Sequence, residues 1–273
     1  MVNVLKRNGE LAPYEPERIR ASLERVGTSE HLIKEILKDV ESHLYEKIPT
    51  EKIYGFVFKI LKKRKRVAAS KFGLKNAIVQ LGPAGHHFET FIAKILEEKG
   101  YKTEFRVFFE GKCIGHEIDV VAHKGDQHIV AECKFHNQPW VYCPIQDALY
   151  TYARFLDISS NHKNKINKVM LITNTRFSIE VEKYAKCVGM ELLGWKYPFR
   201  KGLEVIIDKK FLYPITVLQS VGLELKEKFL LNDYVLVKDL QKLSIEDIQK
   251  LTNCSLAKAE EIKKEVYSII SSV

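Results

Sequence analysis

The stretch EIDVVAHKGDQHIVAECK at residues 117–134 decides how the centre of this chain folds. Two apolar segments flank the turn-forming pair Gly125-Asp126, a pattern that predicts two antiparallel strands joined by a short turn. Successive side chains of a strand point to opposite faces of the sheet. The apolar side chains of the second segment therefore form one face, which leaves Glu132 and Lys134 together on the other.

Asp119 in the first segment completes a polar cluster. The predicted core set of that segment consists of Ile118, Val120 and Ala122. Asp119 is then on the opposite, polar face, and antiparallel pairing brings it close to Glu132. Neighbouring carboxylates repel each other, and a divalent cation removes the repulsion; Mg²⁺ prefers oxygen ligands of this kind. A charged sheet face with ordinary cross-strand ion pairs is the alternative interpretation.

This arrangement suits the hydrolysis of a phosphodiester. Asp119 and Glu132 are the predicted ligands of Mg²⁺, which polarises the scissile phosphate and lowers the pKa of a coordinated water. Lys134 is the predicted catalytic cation, because it can orient or deprotonate the attacking water and offset the charge that develops on the phosphorane.

Two predicted helices supply further candidates. Glu89 lies at the boundary of a helix face that packs on the sheet, so it can lean toward the metal as a third acidic residue. Gln146 and Tyr150 are four residues apart on a later helix and share one face, with Arg154 one turn further on. We predict that Gln146 and Tyr150 contact the substrate backbone, and ordinary helix packing is the alternative for Tyr150.

These residues fall into motifs that occur in a fixed order. They are Gly82-Pro83-x-Gly85-x-x-Phe88-Glu89, then EIDV at residues 117–120, then Glu132-Cys133-Lys134. Together they resemble the Mrr-like restriction endonuclease group of the PD-(D/E)xK superfamily, over roughly residues 82–177. The pair Gln146 and Tyr150 is similar to the Q-x-x-x-Y element that some of these nucleases carry after the lysine. The resemblance implies DNA as the substrate and Mg²⁺-dependent cleavage.

The N-terminal residues form a second pattern. VNVLKR at residues 2–7 precedes Asn8-Gly9, a strong hairpin turn signal, and ELAPY follows. A helix is predicted from Pro16, which suits a first helical turn, to Gly27. Further helices are predicted at residues 31–45 and 50–66, the latter with Thr50 as its N-cap.

This N-terminal region resembles the ATP-cone. The motifs that carry the resemblance are VLKRNG at residues 4–9, PYEPERI at residues 13–19 and Ile48-Pro49-Thr50. The ATP-cone is a small regulatory module that precedes ribonucleotide reductase large subunits and occurs in a repressor of their genes. The resemblance implies that Lys6, Arg18 and Thr50 contact ATP or dATP. Arg7 projects from the same hairpin, and a helix N-terminus favours anions, so Arg7 joins the predicted nucleotide-binding residues. An exposed basic surface is the alternative.

The remaining pattern predicts an α/β fold with a mixed sheet flanked by helices. Strands are predicted at residues 103–109, 169–172, 191–193 and 203–207, and helices at 68–81, 144–156 and 178–188. The pattern of the C-terminal region predicts helices only, at residues 240–248 and 256–270. It resembles a helix-hairpin-helix or SAM-like module without the hairpin glycine, so packing or dimerisation is at least as well supported as DNA binding. The expected domains are an ATP-cone at 1–66, a nuclease at 67–213 and a small helical domain at 214–273.

Composition narrows the functional classes. The 44 Lys and Arg against 35 Asp and Glu give a formal net charge of +9, which attracts polyanions such as DNA. There is no run of about 18 apolar residues and no secretory signal pattern, so we expect a cytoplasmic protein without a membrane span. The 5 cysteines occur singly, without metal-ligand spacing, which argues against a disulfide framework or a zinc site.

The leading hypothesis is a cytoplasmic, Mg²⁺-dependent DNA endonuclease in defence or DNA turnover. ATP or dATP bound to the cone is expected to change its activity or its oligomeric state as a homo-oligomer. The main alternative is a nucleotide-dependent DNA-binding regulator with a nuclease fold that does not cut. An RNA or junction nuclease would use the same three residues.

Overall fold

The computed structural model describes residues 2–82 and 86–271 of the chain. The strands are β1 Asn3–Leu5, β2 Leu11–Pro13, β3 Ile48–Pro49, β4 Lys102–Glu110, β5 Gly115–Lys124, β6 Gln127–Lys134, β7 Tyr142–Cys143, β8 Lys168–Thr173, β9 Arg176–Phe177 and β10 Glu191–Leu193. The helices are α1 Pro16–Arg25, α2 Glu30–Ser42, α3 Thr50–Arg64, α4 Arg66–Phe72, α5 Leu74–Val79, α6 His86–Glu98, α7 Ile145–Ser159, α8 Ile179–Val188, α9 Leu203–Lys210, α10 Leu223–Leu231, α11 Val237–Gln241, α12 Ile245–Thr252 and α13 Leu256–Ile270.

The N-terminal region is a hairpin packed against helices, as predicted. Strands β1 and β2 pair antiparallel, and β1 also pairs in parallel with β3. Gly9 in the turn has a φ of 83°, a conformation that glycine adopts without steric cost. Thr50 is not the N-cap of α3: Pro49 occupies that position and Thr50 is the first helical residue.

The predicted helix at residues 68–81 is two helices. It breaks at Gly73, between α4 and α5. Glycine has the lowest helix propensity of any residue except proline. The side chains of Ala68 and Ala69 are buried in the same core as α1, α2 and α3. The hydrophobic core of the N-terminal region therefore continues past residue 66.

The central sheet has the strand order β10-β8-β6-β5-β4. Strand β5 pairs antiparallel with β4 and β6, whereas β6, β8 and β10 run parallel. This confirms the predicted mixed sheet. The strand predicted at residues 203–207 is wrong, because this segment is the first part of α9. Leu203 and Ile207 are its buried residues, at helical spacing, and a short apolar run does not by itself distinguish strand from helix.

The two faces of the sheet carry different cores. Helix α6 packs on one face together with α9 and the C-terminal helices, whose Phe229, Leu240 and Ile269 belong to the same hydrophobic cluster. Helices α7 and α8 pack on the other face. The C-terminal helices thus share a core with the nuclease sheet.

The C-terminal boundaries were only partly predicted. The helix expected at residues 240–248 is wrong, since α11 ends at Gln241 and α12 begins at Ile245. Ser244 separates them and caps α12, accepting the Asp247 N–H, an arrangement that favours a new helix start. The helix at residues 256–270 is confirmed. None of the helices in residues 2–82 and 86–271 combines the length and apolar character needed to cross a bilayer.

Candidate active site

The candidate active site lies where β5 and β6 stop pairing. The last paired residues on this side are Val120 and Ala131. Beyond them Asp119 and Glu132 are neighbours, and Oδ2 of Asp119 accepts a hydrogen bond of 2.7 Å from the Cys133 N–H. This contact anchors the Asp119 carboxylate to the backbone between Glu132 and Lys134.

Asp119 also marks a change in the side-chain alternation of β5. Val120 and Ala122 pack on the α6 side, but Ile118 packs in the opposite core. The prediction that Ile118 shares their face is therefore wrong. The physical reason is a local distortion of the strand pair: on β4, opposite Asp119, Arg106 has a φ of 46°.

Arg106 was not identified from the sequence. A positive φ is uncommon for a residue that has a Cβ, and such backbone strain is concentrated at functional sites. Its Nε lies 3.6 Å from Oε2 of Glu89 on α6. Arg106 therefore stands beside both Asp119 and Glu89.

Glu132 is buried and paired with two cations. Its Oε1 lies 2.8 Å from Lys134 Nζ, and its Oε2 lies 2.5 Å from a terminal nitrogen of Arg154. Arg154 projects from α7 and also donates to the carbonyl oxygen of Glu117. The predicted placement of Glu132 and Lys134 on one face agrees with these contacts. The part played by Arg154 was missed, although its spacing from Tyr150 was visible.

The ring of Tyr150 lies near both cations of the site. Its ring centre is 5.5 Å from Lys134 Nζ and 5.3 Å from the Arg154 guanidinium carbon, distances at which a cation is attracted to an aromatic face. Gln146, one turn earlier on α7, is exposed. Their roles toward a substrate stay predictions.

The acidic residues of the site and Lys134 influence one another's pKa. Burial first, and then the charge of Glu132, raise the pKa of Asp119 to about 7; the charge of Glu89 acts in the same direction. For Lys134, burial lowers the pKa, but the hydrogen bond and charge of Glu132 outweigh it and the net direction is upward. Lys134 is therefore held in its protonated form.

The donor set fits Mg²⁺ better than zinc. No group of three His, Cys, Asp or Glu side chains forms a metal cage among residues 2–82 and 86–271. Mg²⁺ is commonly held by one or two carboxylates together with waters and substrate phosphates. Asp119 and Glu132 supply such carboxylates, and their mutual repulsion in a buried site favours a bound cation.

A second candidate site is a pocket of about 280 Å³ in the N-terminal region. Lys6, Arg18 and Thr50 all line it, and their contact with a nucleotide stays a prediction. In the structure Lys6 pairs with Glu10 at 3.1 Å and Arg18 with Glu15 at 2.7 Å. The phosphates of a bound nucleotide would replace these carboxylates as the partners of Lys6 and Arg18. Most of the other lining side chains are apolar or aromatic: Val4, Ala12, Pro13, Tyr14, Ile19, Ile53, Tyr54, Val57 and Phe72.

Tyr14 was missed as a pocket residue. Its hydroxyl is buried and has no hydrogen-bond partner within the described part of the chain, and burial raises its pKa to about 12. A buried hydroxyl without a partner costs free energy, so this wall can accept a polar group of a ligand.

Arg7 lies outside this pocket. It forms an ion pair with Glu51, and its guanidinium carbon is 4.5 Å from the ring centre of Trp140. The structure therefore separates Arg7 from the other predicted nucleotide-binding residues and places it against the loop that follows Lys134.

Comparison with protein families identifies the three parts of the chain. A model of the ATP cone domain matches residues 2–74, and a restriction endonuclease model, of the Mrr catalytic type, matches residues 83–195. A model described as AF1548-like, C-terminal, matches residues 213–270. The first two matches confirm both resemblances drawn from the sequence. Of the motif that begins at Gly82, residues 83–85 lie outside the described residues.

Relatives of known sequence or structure cover most of the chain. An uncharacterized protein of Archaeoglobus fulgidus is 40% identical over 179 residues, which are 66% of this chain and 99% of the relative. The crystal structure of AF1548, a protein of unknown function, matches with a TM-score of 0.59 and 37% identity, over 69% of this chain and 99% of that one.

Proposed function

The chain belongs to the same family as this Archaeoglobus fulgidus protein and carries an ATP-cone before its restriction endonuclease domain; from this premise we propose a Mg²⁺-dependent DNA endonuclease controlled by a nucleotide in the cone. The observation that carries the proposal is the cluster at the point where β5 and β6 stop pairing. Asp119, Glu132 and Lys134 meet there, and Glu89 acts on the same carboxylate.

Each residue has a distinct part in cleavage. Asp119 and Glu132 would hold Mg²⁺, which supplies Lewis-acid activation of the scissile phosphate and of the attacking water. Lys134 faces the phosphate as a protonated amine and offsets the charge that builds up during hydrolysis. Its raised pKa favours this role over that of a general base. Tyr150 and Gln146 orient the substrate backbone from α7.

Plasmid cleavage tests the proposal. Supercoiled plasmid is incubated with Mg²⁺ and the wild type, Asp119→Ala or Lys134→Ala. Asp126→Ala is the matched control, because Asp126 is an exposed carboxylate in the turn at the far end of the same strand pair. We expect cleavage by the wild type and the control only. Equal cleavage by all four proteins would remove the site assignment.

The cone pocket supports ATP or dATP as the regulatory ligand. Lys6, Arg18 and Thr50 line the pocket together with apolar and aromatic side chains that can hold a base. Calorimetry with ATP and dATP on the wild type and Lys6→Ala tests this binding. Cleavage assays and sedimentation with and without each nucleotide then test whether binding changes the activity or the state of a homo-oligomer.

One observation favours the alternative of a DNA-binding regulator that does not cut. Both carboxylate oxygens of Glu132 are already paired, with Lys134 and Arg154, so this residue is neutralised without a metal. Salt-dependent DNA binding without cleavage, in Mg²⁺ and in Mn²⁺, would establish that alternative. Cleavage of RNA or branched DNA in preference to plasmid would instead identify an RNA or junction nuclease.

A further inference from the structure

The carboxyl ends of the parallel strands form one edge of the sheet. Strands β6, β8 and β10 run in the same direction, and Lys134 is the last residue of β6. In open α/β sheets, ligands bind in the crevice outside these strand ends. His136, after β6, and Asn174, after β8, hold the neighbouring loops together by two reciprocal hydrogen bonds of 2.8 Å.

Basic side chains are grouped at this edge. Arg176 follows β8, Lys196 follows β10, and both are exposed; Lys75 comes from α5. Burial first, and then the charges of Arg176 and Lys196, lower the pKa of Lys75 to about 8. The Trp195 N–H donates to the carbonyl oxygen of Thr175 at 2.8 Å, so Arg176 and Lys196 directly follow two hydrogen-bonded residues. Lys75 Nζ lies 5.6 Å from the ring centre of Trp195, the residue directly before Lys196. The three cations therefore lie around Trp195.

The three cations lack a carboxylate ion-pair partner in the part of the chain that the structure describes. Among the residues that the structure describes, none of the three side chains forms an ion pair with a carboxylate. Glu204 is close enough to act on Lys75 and Lys196, but its Oε2 accepts the backbone N–H of Lys196 at 2.7 Å. A polyanion would supply the missing charge.

An aromatic side chain stands beside these cations. Trp140, on the loop after Lys134, is 38% exposed and lines a cleft of about 290 Å³ together with Lys75 and Tyr54. Arg7 of the cone lies over one face of its ring. Exposed aromatic rings next to cations are typical of surfaces on which nucleic acid bases stack while the backbone is held electrostatically.

We infer that this edge, with Lys75, Arg176, Lys196 and Trp140, is the surface along which a nucleic acid strand reaches the active site. The three cations contact its phosphodiester groups, and the Trp140 ring stacks on a base. The inference rests on the proposed function in taking nucleic acid as the substrate. It adds that the segment joining the cone to the nuclease contributes to substrate binding, through Lys75.

DNA binding without cleavage tests the inference. A fluorescein-labelled duplex with a single-stranded end is titrated with protein in EDTA at several salt concentrations, with anisotropy as the readout. The test variant is Lys75→Gln/Arg176→Gln/Lys196→Gln. The matched control is Lys38→Gln/Lys186→Gln/Lys264→Gln, which removes the same charge from exposed positions on α2, α8 and α13.

Each lost phosphate contact lowers the slope of log K against log salt by about 0.9. We therefore expect the test variant to bind about tenfold more weakly or worse and to lose a slope of about 2 to 3, while the control keeps the wild-type slope. Trp140→Leu should weaken binding about tenfold with an unchanged slope, because stacking is not an ionic contact. A test variant with the slope of the control overturns the inference.

Two further arms distinguish lost DNA contacts from misfolding and from lost ATP binding. Arg176→Gln/Lys196→Gln alters exposed positions only, and a slope loss of about 2 is expected there even where the Lys75 change disturbs folding. Calorimetry with ATP tests whether the three cations bind the phosphates of ATP and not those of DNA. A test variant that loses ATP affinity but keeps DNA affinity overturns the inference. If the binding results hold and no protein cleaves DNA in Mg²⁺, the proposed nuclease function fails, while the assignment of this edge as a nucleic acid-binding surface stands.

Discussion

The Arg154 guanidinium donates a hydrogen bond of 2.5 Å to Oε2 of Glu132, and its other terminal nitrogen donates to the carbonyl oxygen of Glu117 on β5. One side chain from α7 thus spans the gap that opens between β5 and β6 at the active site. The side chains of Arg154 and Glu132 are 12% and 7% exposed, so water screens this pair only weakly.

Removing Arg154 should affect both stability and cleavage. Arg154→Ala leaves a buried carboxylate with Lys134 as its remaining cation, and we expect the free energy of unfolding to fall by about 3 kcal/mol. Arg154→Lys should recover part of this loss and part of the cleavage rate. Urea unfolding and plasmid cleavage measure the two effects. In Arg154→Ala/Glu132→Gln the stability cost should be smaller than in Arg154→Ala; a wild-type stability for Arg154→Ala would argue against the contact.

Trp140 should carry the effect of the nucleotide to the nuclease. Its ring contacts Arg7, which is ion-paired with Glu51 beside Thr50 of the cone pocket. A nucleotide that changes the DNA affinity of the wild type should leave that of Trp140→Leu unchanged, because the variant loses the contact between Arg7 of the cone and the loop after Lys134. Anisotropy titrations with and without ATP give the ratio of the two DNA affinities. Calorimetry must show unchanged ATP affinity in the variant, and an undiminished ratio would contradict the link.

Lys75 should make stability depend on pH. Its pKa is about 8 in the folded protein against about 10.4 in an unfolded chain. Between these values the unfolded state binds more protons, so the free energy of unfolding rises with pH. Below about pH 8 both states are protonated and the burial cost is constant. Lys75→Met should therefore be more stable than the wild type at pH 7, by about 1 to 2 kcal/mol after allowance for partial exposure.

The stability of Lys75→Met relative to the wild type, measured at several pH values, tests the lowered pKa of Lys75. The stability difference between Lys75→Met and the wild type should shrink as pH rises from about 8 to 10.5. Lys38→Met, at an exposed position on α2, should show no such trend. Urea unfolding at pH 7, 8.5 and 10 measures it. A difference that stays constant over this range would mean that Lys75 keeps its ordinary pKa.

Phe229 should connect the C-terminal helices to the nuclease fold. It is fully buried in the core shared by α6 and the sheet, and Phe229→Ala should lower the free energy of unfolding by about 3 to 5 kcal/mol. Leu231, two residues on and 71% exposed, provides the control, since Leu231→Ala should change little. Fluorescence and circular dichroism should report one common transition. Separate transitions for the sheet and the C-terminal helices would contradict a shared core.

The sequence was sufficient for the parts of the fold that depend on local patterns. The alternation in residues 117–134 and the Asn8-Gly9 turn predicted the strands correctly, because each signal lies within a few residues. Leu203 to Ile207 failed for the opposite reason: the run is too short for its period to show, and packing against the sheet decides that it is helical.

The site was predictable only within one strand pair. Glu132 and Lys134 share a face because alternation requires it. Ile118 packs in the core on the other face of the sheet because of the backbone conformation of Arg106 on the neighbouring strand. Arg154 reaches Glu132 from α7, and Arg7 reaches Trp140 from a separate domain. Contacts between residues so far apart in the chain leave no mark in a single sequence.

The Mg²⁺ dependence of cleavage tests the central claim most directly. Initial rates of plasmid cleavage are measured over a range of Mg²⁺ concentrations for the wild type, Asp119→Asn and Asp126→Asn. We predict a rate that rises and saturates with Mg²⁺ for the wild type and for Asp126→Asn, and no cleavage above background for Asp119→Asn. Equal rates for the wild type and Asp119→Asn at every Mg²⁺ concentration would contradict the account.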